Sequence, residues 1–438
     1  MLRANVVEPL EGVSASLASD SDHVTLLVRD HDARAPRGVA VNDEDDADKV
    51  KKLKAPATKS PHGPTAANAN APNKILCLDG LRGLAAYFVI VQHSHWGDRN
   101  FGAYGVDIFF VLSSFLLTML FDKKVRQLMD RRARWYSWVF ALLDYFQRRF
   151  LRVYPLFFAV ATLLWILPND TRKHYWGDID ERAPFDYLKV LVFNPEHRFH
   201  VFWTLPVEIH YYFIIPVFVI GLALLRQWWW APLLPLSYWC VQEGFTTFRG
   251  DHEPLRPHIN TFLAGSIAAI VFNRIDAWRR KHNVELDTMQ LIAFRAVEYG
   301  FLLLLLSVMY DVVWDWLGYN PLPKSPSPYL SGFLAVVMMC ELLVPGPLSG
   351  VFEWNVLLFF GKISYSMYML HSFVVFHPLI TPQSGYSQRV ATLTSCGLLG
   401  LASYNLIEVP SQRLTSRISQ YLKLQELEAS KGAVTAGH

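Results

Sequence analysis

Arg82 and His93 are the residues of this sequence whose types and spacing most directly indicate chemistry. Both lie in one apolar stretch, residues 79–96, eleven positions apart. At about 3.6 residues per turn, this spacing predicts that the two side chains share nearly the same face of one helix, with a rise of roughly 16 Å between them. Ionisable groups inside a spanning helix are costly, so each one is a candidate for function. The pair predicts a phosphate-binding cation near one membrane surface and an imidazole deeper on the same face; a headgroup-facing arginine and a hydrogen-bonded interior histidine are the structural alternative.

Two further cations, Arg149 and Arg152, stand at the basic entry to another apolar stretch. As i,i+3 neighbours they present both guanidinium groups on one helical face. Guanidinium groups bind phosphate and pyrophosphate through paired hydrogen bonds. Anchoring of the helix at the cytosolic surface explains the same two residues equally well, so the sequence leaves both interpretations open.

Glu208 lies just inside the fourth apolar stretch, where a carboxylate needs a partner. The candidate partners are His93, His210 and Arg82. A carboxylate beside an imidazole orients the ring and raises its basicity, as in the acid–base pairs of hydrolases and transferases. A purely structural ion pair is the alternative.

Four other polar residues within apolar stretches are assigned structural roles: Asp107, Ser113, Ser114 and His371. Asp107 is expected to pair with a cation near a helix end. The two serines are expected to be small packing residues of the kind that membrane helices favour. For His371 a hydrogen bond between helices is favoured over a chemical role.

The composition indicates a membrane protein. Of the 438 residues, 52% are hydrophobic and 18% are charged, whereas soluble domains are about 25% charged. The four cysteines are far apart and form no CxxC pair, so we predict neither a metal site nor a disulfide framework. The basic residues lie between the apolar stretches instead of forming one patch, which excludes nucleic acid as a partner.

The apolar stretches predict an all-α fold, a polytopic transmembrane bundle of about ten spanning helices. They lie at approximately 79–96, 103–121, 150–168, 203–225, 227–241, 258–273, 290–311, 328–345, 356–380 and 388–408. Residues 1–72 lack any stretch able to form a core, and are predicted to be a disordered cytosolic tail. The membrane domain is predicted at 73–415, followed by a cytosolic C-terminal tail at 416–438.

The charges of the connections predict the orientation. Residues 122–152 carry nine Lys and Arg against three acidic residues, whereas residues 169–200 carry five basic and six acidic residues. Because positive charge stays on the cytosolic side, we predict that both termini are cytosolic, in the plasma membrane or an endomembrane.

Taken in chain order, the motifs resemble those of the acyltransferase-3 family of multi-pass membrane O-acyltransferases. The matching elements are Leu78 to Arg82 with His93 (an R-x10-H signature), Gly105 to Ser113 (GVDxFFxLSG, with Ser114 where glycine is usual), Arg149-x-x-Arg152 (RxxR), Trp203 to Tyr212 (WxLxxE), and Gly361 to His371 with Glu408-Val409-Pro410 (closing motifs). The likeness covers about residues 74–415. The long tail, with no appended hydrolase-like domain, is similar to fungal members.

The resemblance implies transfer of an acyl group, often acetyl, from a cytosolic acyl-CoA to a hydroxyl group of a carbohydrate, lipid or secondary-metabolite acceptor. It places the family's essential Arg and His at Arg82 and His93, and its conserved Glu at Glu208. No permanently bound cofactor is expected; acyl-CoA, with acetyl-CoA favoured, is the co-substrate. Membrane lipid is the other expected partner.

These assignments predict a mechanism in which His93 is the general base for the acceptor hydroxyl, an effect typically worth about 10²–10⁴-fold in rate. Glu208 or Asp79 is predicted to orient His93 or hold the acceptor. An acyl-His93 intermediate is the alternative to direct attack.

The three arginines, Arg82, Arg149 and Arg152, are predicted to bind the phosphates of CoA at the cytosolic face.

The alternative functions are a secondary transporter, for which intramembrane charge is equally expected, and a translocator that passes an acyl group across the bilayer.

Overall fold

The computed structural model describes most of the chain beyond its first 72 residues. The described residues are 73–94, 96, 101–176, 185–194, 196–197, 199–246, 255–310, 316 and 327–435. The predicted N-terminal tail, residues 1–72, lies outside them.

The described residues form helices and no strand, which confirms the predicted all-α fold. In chain order the helices are α1 (Asn73–His93), α2 (Phe101–Asp130), α3 (Trp135–Ile166), α4 (Asn169–Trp176), α5 (Tyr187–Leu191), α6 (Thr204–Leu224), α7 (Leu233–Thr246), α8 (Ile259–His282), α9 (Thr288–Tyr310), α10 (Ser327–Leu343), α11 (Pro347–Phe352), α12 (Asn355–Lys362), α13 (Ser364–Val375), α14 (Gly385–Ser403) and α15 (Val409–Thr435). A π-helical turn, Tyr404–Glu408, joins the last two.

Five of the described helical stretches are long and apolar enough to cross a membrane. They are α2, α3, α6, α9 and the continuous stretch Gly385–Lys431, and a shorter apolar helix lies at Leu330–Leu343. The protein is therefore a membrane helix bundle, and the number of about ten spans stays a prediction. The ninth predicted segment, 356–380, is two helices, because α12 ends at Lys362 and α13 starts at Ser364.

Helix α2 lies at the centre of the bundle and packs against α1, α6, α8 and α10. Its side chains Val111, Leu112 and Phe115 are fully buried, as expected for a helix that is apolar on all sides. Where α2 meets α8, the hydroxyl of Thr118 donates to Ser266 Oγ over 2.8 Å. This buried polar contact fixes the register between α2 and α8.

The end of α8 shows how local sequence sets a helix boundary. Its last turn carries four basic residues, 279–282, which interact favourably with the negative end of the helix dipole. The next residue, Asn283, has φ 51° and ψ 44°, the left-handed conformation that ends many helices. Asn283 therefore ends α8 directly after this basic run.

Helix α1 approaches its neighbours almost backbone to backbone, and three glycines allow this. A Cβ on Gly80 would lie 1.7 Å from the carbonyl oxygen of Phe352 in α11. A Cβ on Gly361 in α12 would lie 1.9 Å from the carbonyl oxygen of Asp79, and one on Gly83 would also meet α12 backbone, at 2.2 Å from an oxygen. The position of α1, which carries the predicted site residues Asp79, Arg82 and His93, is therefore set in part by α11 and α12.

A Gly80→Ala variant is expected to be less stable than the wild type by at least about 1–3 kcal/mol, because the methyl group meets backbone that cannot rotate away. Gly300→Ala is the matched control: Gly300 also lies within a helix, and nothing lies within 4 Å of its added Cβ. Alanine is the better helix former, so the control is expected to match or exceed wild-type stability. Thermal unfolding midpoints in one detergent measure both. Equal midpoints for the two variants would contradict the proposed close packing.

Candidate active site

Helices α1, α2, α3, α6 and α13 enclose a cavity of about 90 Å³, here called the arginine cavity. It is lined by apolar residues and by these polar ones: Arg82, Ser113, Arg149, Arg152, Thr204, Glu208, Tyr212, Ser364, Tyr365 and Tyr368. Three guanidinium groups and one carboxylate from three different helices therefore line one small space. The sequence predicted the same three arginines to act together.

The cations on α3 are available to a ligand. Neither Arg149 nor Arg152 forms an ion pair with any residue that the structure describes, and the Nε atom of Arg149 is buried without a hydrogen-bond partner there. Arg152 is exposed, which places it at the mouth of the cavity. By contrast Arg148, which is not part of the lining, pairs with Asp144 at 2.9 Å. A buried donor on an unpaired cation is costly, and an anion entering the cavity would remove that cost.

Asp79 lies beside Arg82, with 3.0 Å between its Oδ1 and the guanidinium Nη1. The Arg82 side chain is 19% exposed and the Asp79 side chain is 17% exposed, so the pair is largely shielded from solvent. Asp79 is fourteen residues before His93 in the same helix, about 21 Å along its axis. At that separation Asp79 positions Arg82, and the predicted role of orienting His93 does not fit.

Glu208 reaches into the arginine cavity from the first turns of α6. The hydroxyl of Ser113 donates to its Oε1 over 2.5 Å, and Arg82 lies close enough to interact with it electrostatically. The sequence favoured a packing role for Ser113, whereas the structure gives it a polar partner. His210, a candidate partner of Glu208 in the sequence, is exposed on α6.

His93 lies in a separate group, here called the histidine cluster, with His200 and His371. Its ring centroid is 4.5 Å from that of His200, edge to face, and 5.1 Å from that of His371. None of the three lines the arginine cavity. Arg82 and His93 thus share one continuous helix, as predicted, but their side chains lie in two adjacent places.

Tyr368 connects the two places. Its side chain lines the arginine cavity, its hydroxyl accepts a hydrogen bond of 3.1 Å from Thr204 Oγ1, and its ring centroid is 6.0 Å from that of His371. Its backbone carbonyl accepts a hydrogen bond of 2.7 Å from the Nδ1 of His371. Tyr368 therefore borders both the arginine cavity and the histidine cluster.

Sequence reasoning missed His200, and only a weak signal pointed to it. The residue lies three positions before Trp203, where the WxLxxE element begins, and belongs to no motif. His371 was noted, but its contact with His93 depends on how α13 packs against α1.

A family model described as an acyltransferase domain matches residues 75–402. The chain belongs to this acyltransferase family. The resemblance found in the motifs is thereby confirmed over the greater part of the chain, and the arginine cavity and the histidine cluster both lie within the matched residues.

Curated relatives of this acyltransferase include a Bacillus subtilis protein provisionally named a peptidoglycan O-acetyltransferase, 24% identical over 362 residues, covering 76% of this chain and 54% of the relative. The peptidoglycan O-acetyltransferase OatA of Listeria monocytogenes is 24% identical over 381 residues. These residues cover 77% of this chain and 55% of OatA. A Staphylococcus aureus protein provisionally named an O-acetyltransferase is 23% identical over 327 residues, which cover 68% of this chain and 50% of that protein. The chain spans about half the length of these relatives, and no solved structure matches it.

Proposed function

We propose that the protein is a membrane O-acyltransferase that moves an acetyl group from acetyl-CoA to a hydroxyl group of a carbohydrate, lipid or secondary-metabolite acceptor. The observation that carries the proposal is the arginine cavity, in which Arg82, Arg149 and Arg152 converge on one small space. Membrane proteins place ionisable groups in such positions where a ligand or a reaction needs them. The names of the relatives, all referring to O-acetyl transfer, support the same class of reaction.

The donor is argued from the chemistry of the cavity. CoA carries a pyrophosphate and a further phosphate, which match the guanidinium groups in charge and in their paired hydrogen-bond geometry. Arg152 at the mouth and Arg149 deeper in the cavity offer a path for these anions, and Asp79 holds Arg82 in place. The apolar side chains of the lining suit the uncharged arm that carries the thioester.

The acceptor chemistry is assigned to His93. With the phosphates at Arg82, the arm of the donor would extend along α1, and the interval between the two residues is about 16 Å. The His93 imidazole takes the proton of the acceptor hydroxyl while the hydroxyl oxygen attacks the carbonyl carbon of the thioester. The carbon–sulfur bond breaks, the acetyl ester forms, and the CoA sulfur leaves and takes up a proton.

Glu208 has a different role in this proposal from the one that the sequence favoured. Because it hydrogen-bonds Ser113 and faces Arg82 in the cavity, it orients the donor-binding guanidinium. Its carboxylate also repels anions, and so restricts where the phosphates settle.

The test compares two donors on purified protein in lipid nanodiscs. Radiolabelled acetyl-CoA and radiolabelled acetyl-pantetheine, which carries the same thioester without phosphates, are offered with oligosaccharide, glycerolipid and small-alcohol acceptors. Labelled ester and free thiol are expected with acetyl-CoA, and KM for acetyl-pantetheine is expected to be at least about 100-fold higher, since charged hydrogen bonds are worth about 1.5–3 kcal/mol each. Equal KM values would contradict phosphate recognition. In a parallel assay on sealed proteoliposomes, uptake of label without product would instead indicate a transporter.

A further inference from the structure

We propose that His93, His200 and His371 form a binding site for a divalent transition metal ion of the zinc class, and that the bound ion blocks acyl transfer. Metal binding follows from the histidine cluster alone. The inhibitory effect rests on the proposed function, because it requires His93 to be the base. The sequence predicted no metal site because its four cysteines form no CxxC pair. The three histidines are likewise far apart in the chain and form no motif.

The geometry of the cluster is close to that of a metal site. One ring nitrogen from each histidine can be chosen so that all three lie within 4.8 Å of one another. Zinc binds imidazole nitrogen at about 2.0–2.1 Å, so the three donors of a tetrahedral site are about 3.3 Å apart. Shifts of roughly 1 Å per ring therefore close the site around an ion. Three imidazoles leave a fourth position for water.

A hydrogen bond holds the His371 ring in the tautomer that a metal ion can bind. Its Nδ1 donates to the carbonyl oxygen of Tyr368 over 2.7 Å, which leaves the lone pair of the neutral ring on Nε2. The side chain is fully buried, and Nε2 has no hydrogen-bond partner among the described residues. Imidazoles that bind metals commonly donate their other nitrogen to a backbone carbonyl in this way. A metal ion would give Nε2 of His371 a partner.

His200 provides the third donor from outside the helices. Its Nδ1 lies 3.4 Å from the hydroxyl of Ser372, the neighbour of His371 in α13, and its ring is 5.7 Å from that of Phe376. A hydroxyl group and an aromatic ring thus border the cluster at His200. A donor set of neutral nitrogens favours zinc, copper or nickel over magnesium and calcium, which prefer oxygen ligands.

Occupancy of this site and catalysis by His93 exclude each other. A nitrogen that donates its lone pair to a metal ion has none left to accept a proton from the acceptor. The ion also places a positive charge and a bound water where the acceptor hydroxyl would stand. Zinc is therefore expected to act as a reversible inhibitor that competes for the base.

The binding test uses full-length protein carrying a non-histidine affinity tag, stripped with EDTA and dialysed. Titration with Co²⁺ is expected to give the visible absorption of a tetrahedral site, and equilibrium dialysis with zinc is expected to give one ion per chain. His200→Ala and His371→Gln each remove one donor, and are expected to weaken zinc binding by at least about 100-fold, more than the loss of an outer partner costs. His282→Ala, an exposed histidine on α8, is the matched control and is expected to bind like the wild type. Absence of the cobalt signal, or equal affinity in all variants, would overturn the site.

The inhibition test measures transfer with and without zinc, each variant relative to its own zinc-free rate. Wild type is expected to lose activity with zinc and regain it with EDTA, whereas His200→Ala is expected to need at least about 100-fold more zinc for the same loss. Loss of activity on adding EDTA would overturn the inhibitory role. If no transfer is found under any condition, the proposed function fails while the cobalt spectrum still decides the metal site.

Discussion

Replacing His93 with alanine is expected to lower kcat for acetyl transfer by about 10²–10⁴-fold, because the general base is lost. The affinity for CoA is expected to stay at the wild-type value, since His93 does not line the arginine cavity. This division between kcat and donor affinity separates a chemical role from a structural one. The measurements are initial rates at saturating donor and calorimetric titration with CoA.

The matched control for this variant is His282→Ala, which removes an exposed imidazole at the far end of α8. Both variants must show the wild-type elution profile and thermal midpoint. A His93→Ala protein that meets these criteria and retains full transfer activity would show that another group accepts the proton. A loss of CoA affinity equal to the loss of rate would assign His93 to packing instead.

The second large effect is expected from the double variant Arg149→Met/Arg152→Met. Two guanidinium groups that bind phosphate are removed, while the apolar stems that pack along α3 are largely kept. At about 1.5–3 kcal/mol for each charged hydrogen bond, the Kd for CoA is expected to rise by about 10²–10⁴-fold. Binding of acetyl-pantetheine, which has no phosphates, is expected to be unchanged.

Arg148→Met is the control that the chain itself offers. It removes one positive charge from the same helix, but Arg148 is paired with Asp144 and lies outside the cavity lining. Its expected effect on CoA affinity is within about 3-fold, the scale of a surface ion pair. If the double variant and this control bind CoA equally well, the arginine cavity is not the donor site.

Much of the fold follows from the sequence because the lipid environment imposes simple rules. Apolar stretches predict spanning helices, and the all-α bundle is confirmed. The break between α12 and α13 is not visible in composition. It lies at Ile363, beside Gly361, which meets the backbone of α1, and such close approaches depend on tertiary packing.

Part of the candidate site could be predicted because the lipid environment also makes charged residues costly. Charges inside apolar stretches are rare enough to be singled out one by one, and Arg82, Arg149, Arg152 and Glu208 do converge. The pairing of Asp79 with Arg82 was readable from their i,i+3 spacing.

What the sequence could not supply is contact between distant segments. His200 precedes α6 and His371 belongs to α13, and no local pattern places either beside His93. Such a cluster exists only after three separate elements have packed together. The same applies to Tyr368, whose position between the two groups depends on the depth of α13 in the bundle.

Helix α15 supports the proposed donor site, although none of its residues lines the arginine cavity. In α15, Ser411 donates to the carbonyl oxygen of Leu151, which lies between the two cavity arginines of α3, and Ser419 donates to Asp144 over 2.5 Å. Helix α15 is thus hydrogen-bonded along the part of α3 that carries those two guanidinium groups, and holds it in position. Fusion partners, tags or truncations at that end of the protein are therefore expected to weaken CoA binding at the proposed donor site from a distance.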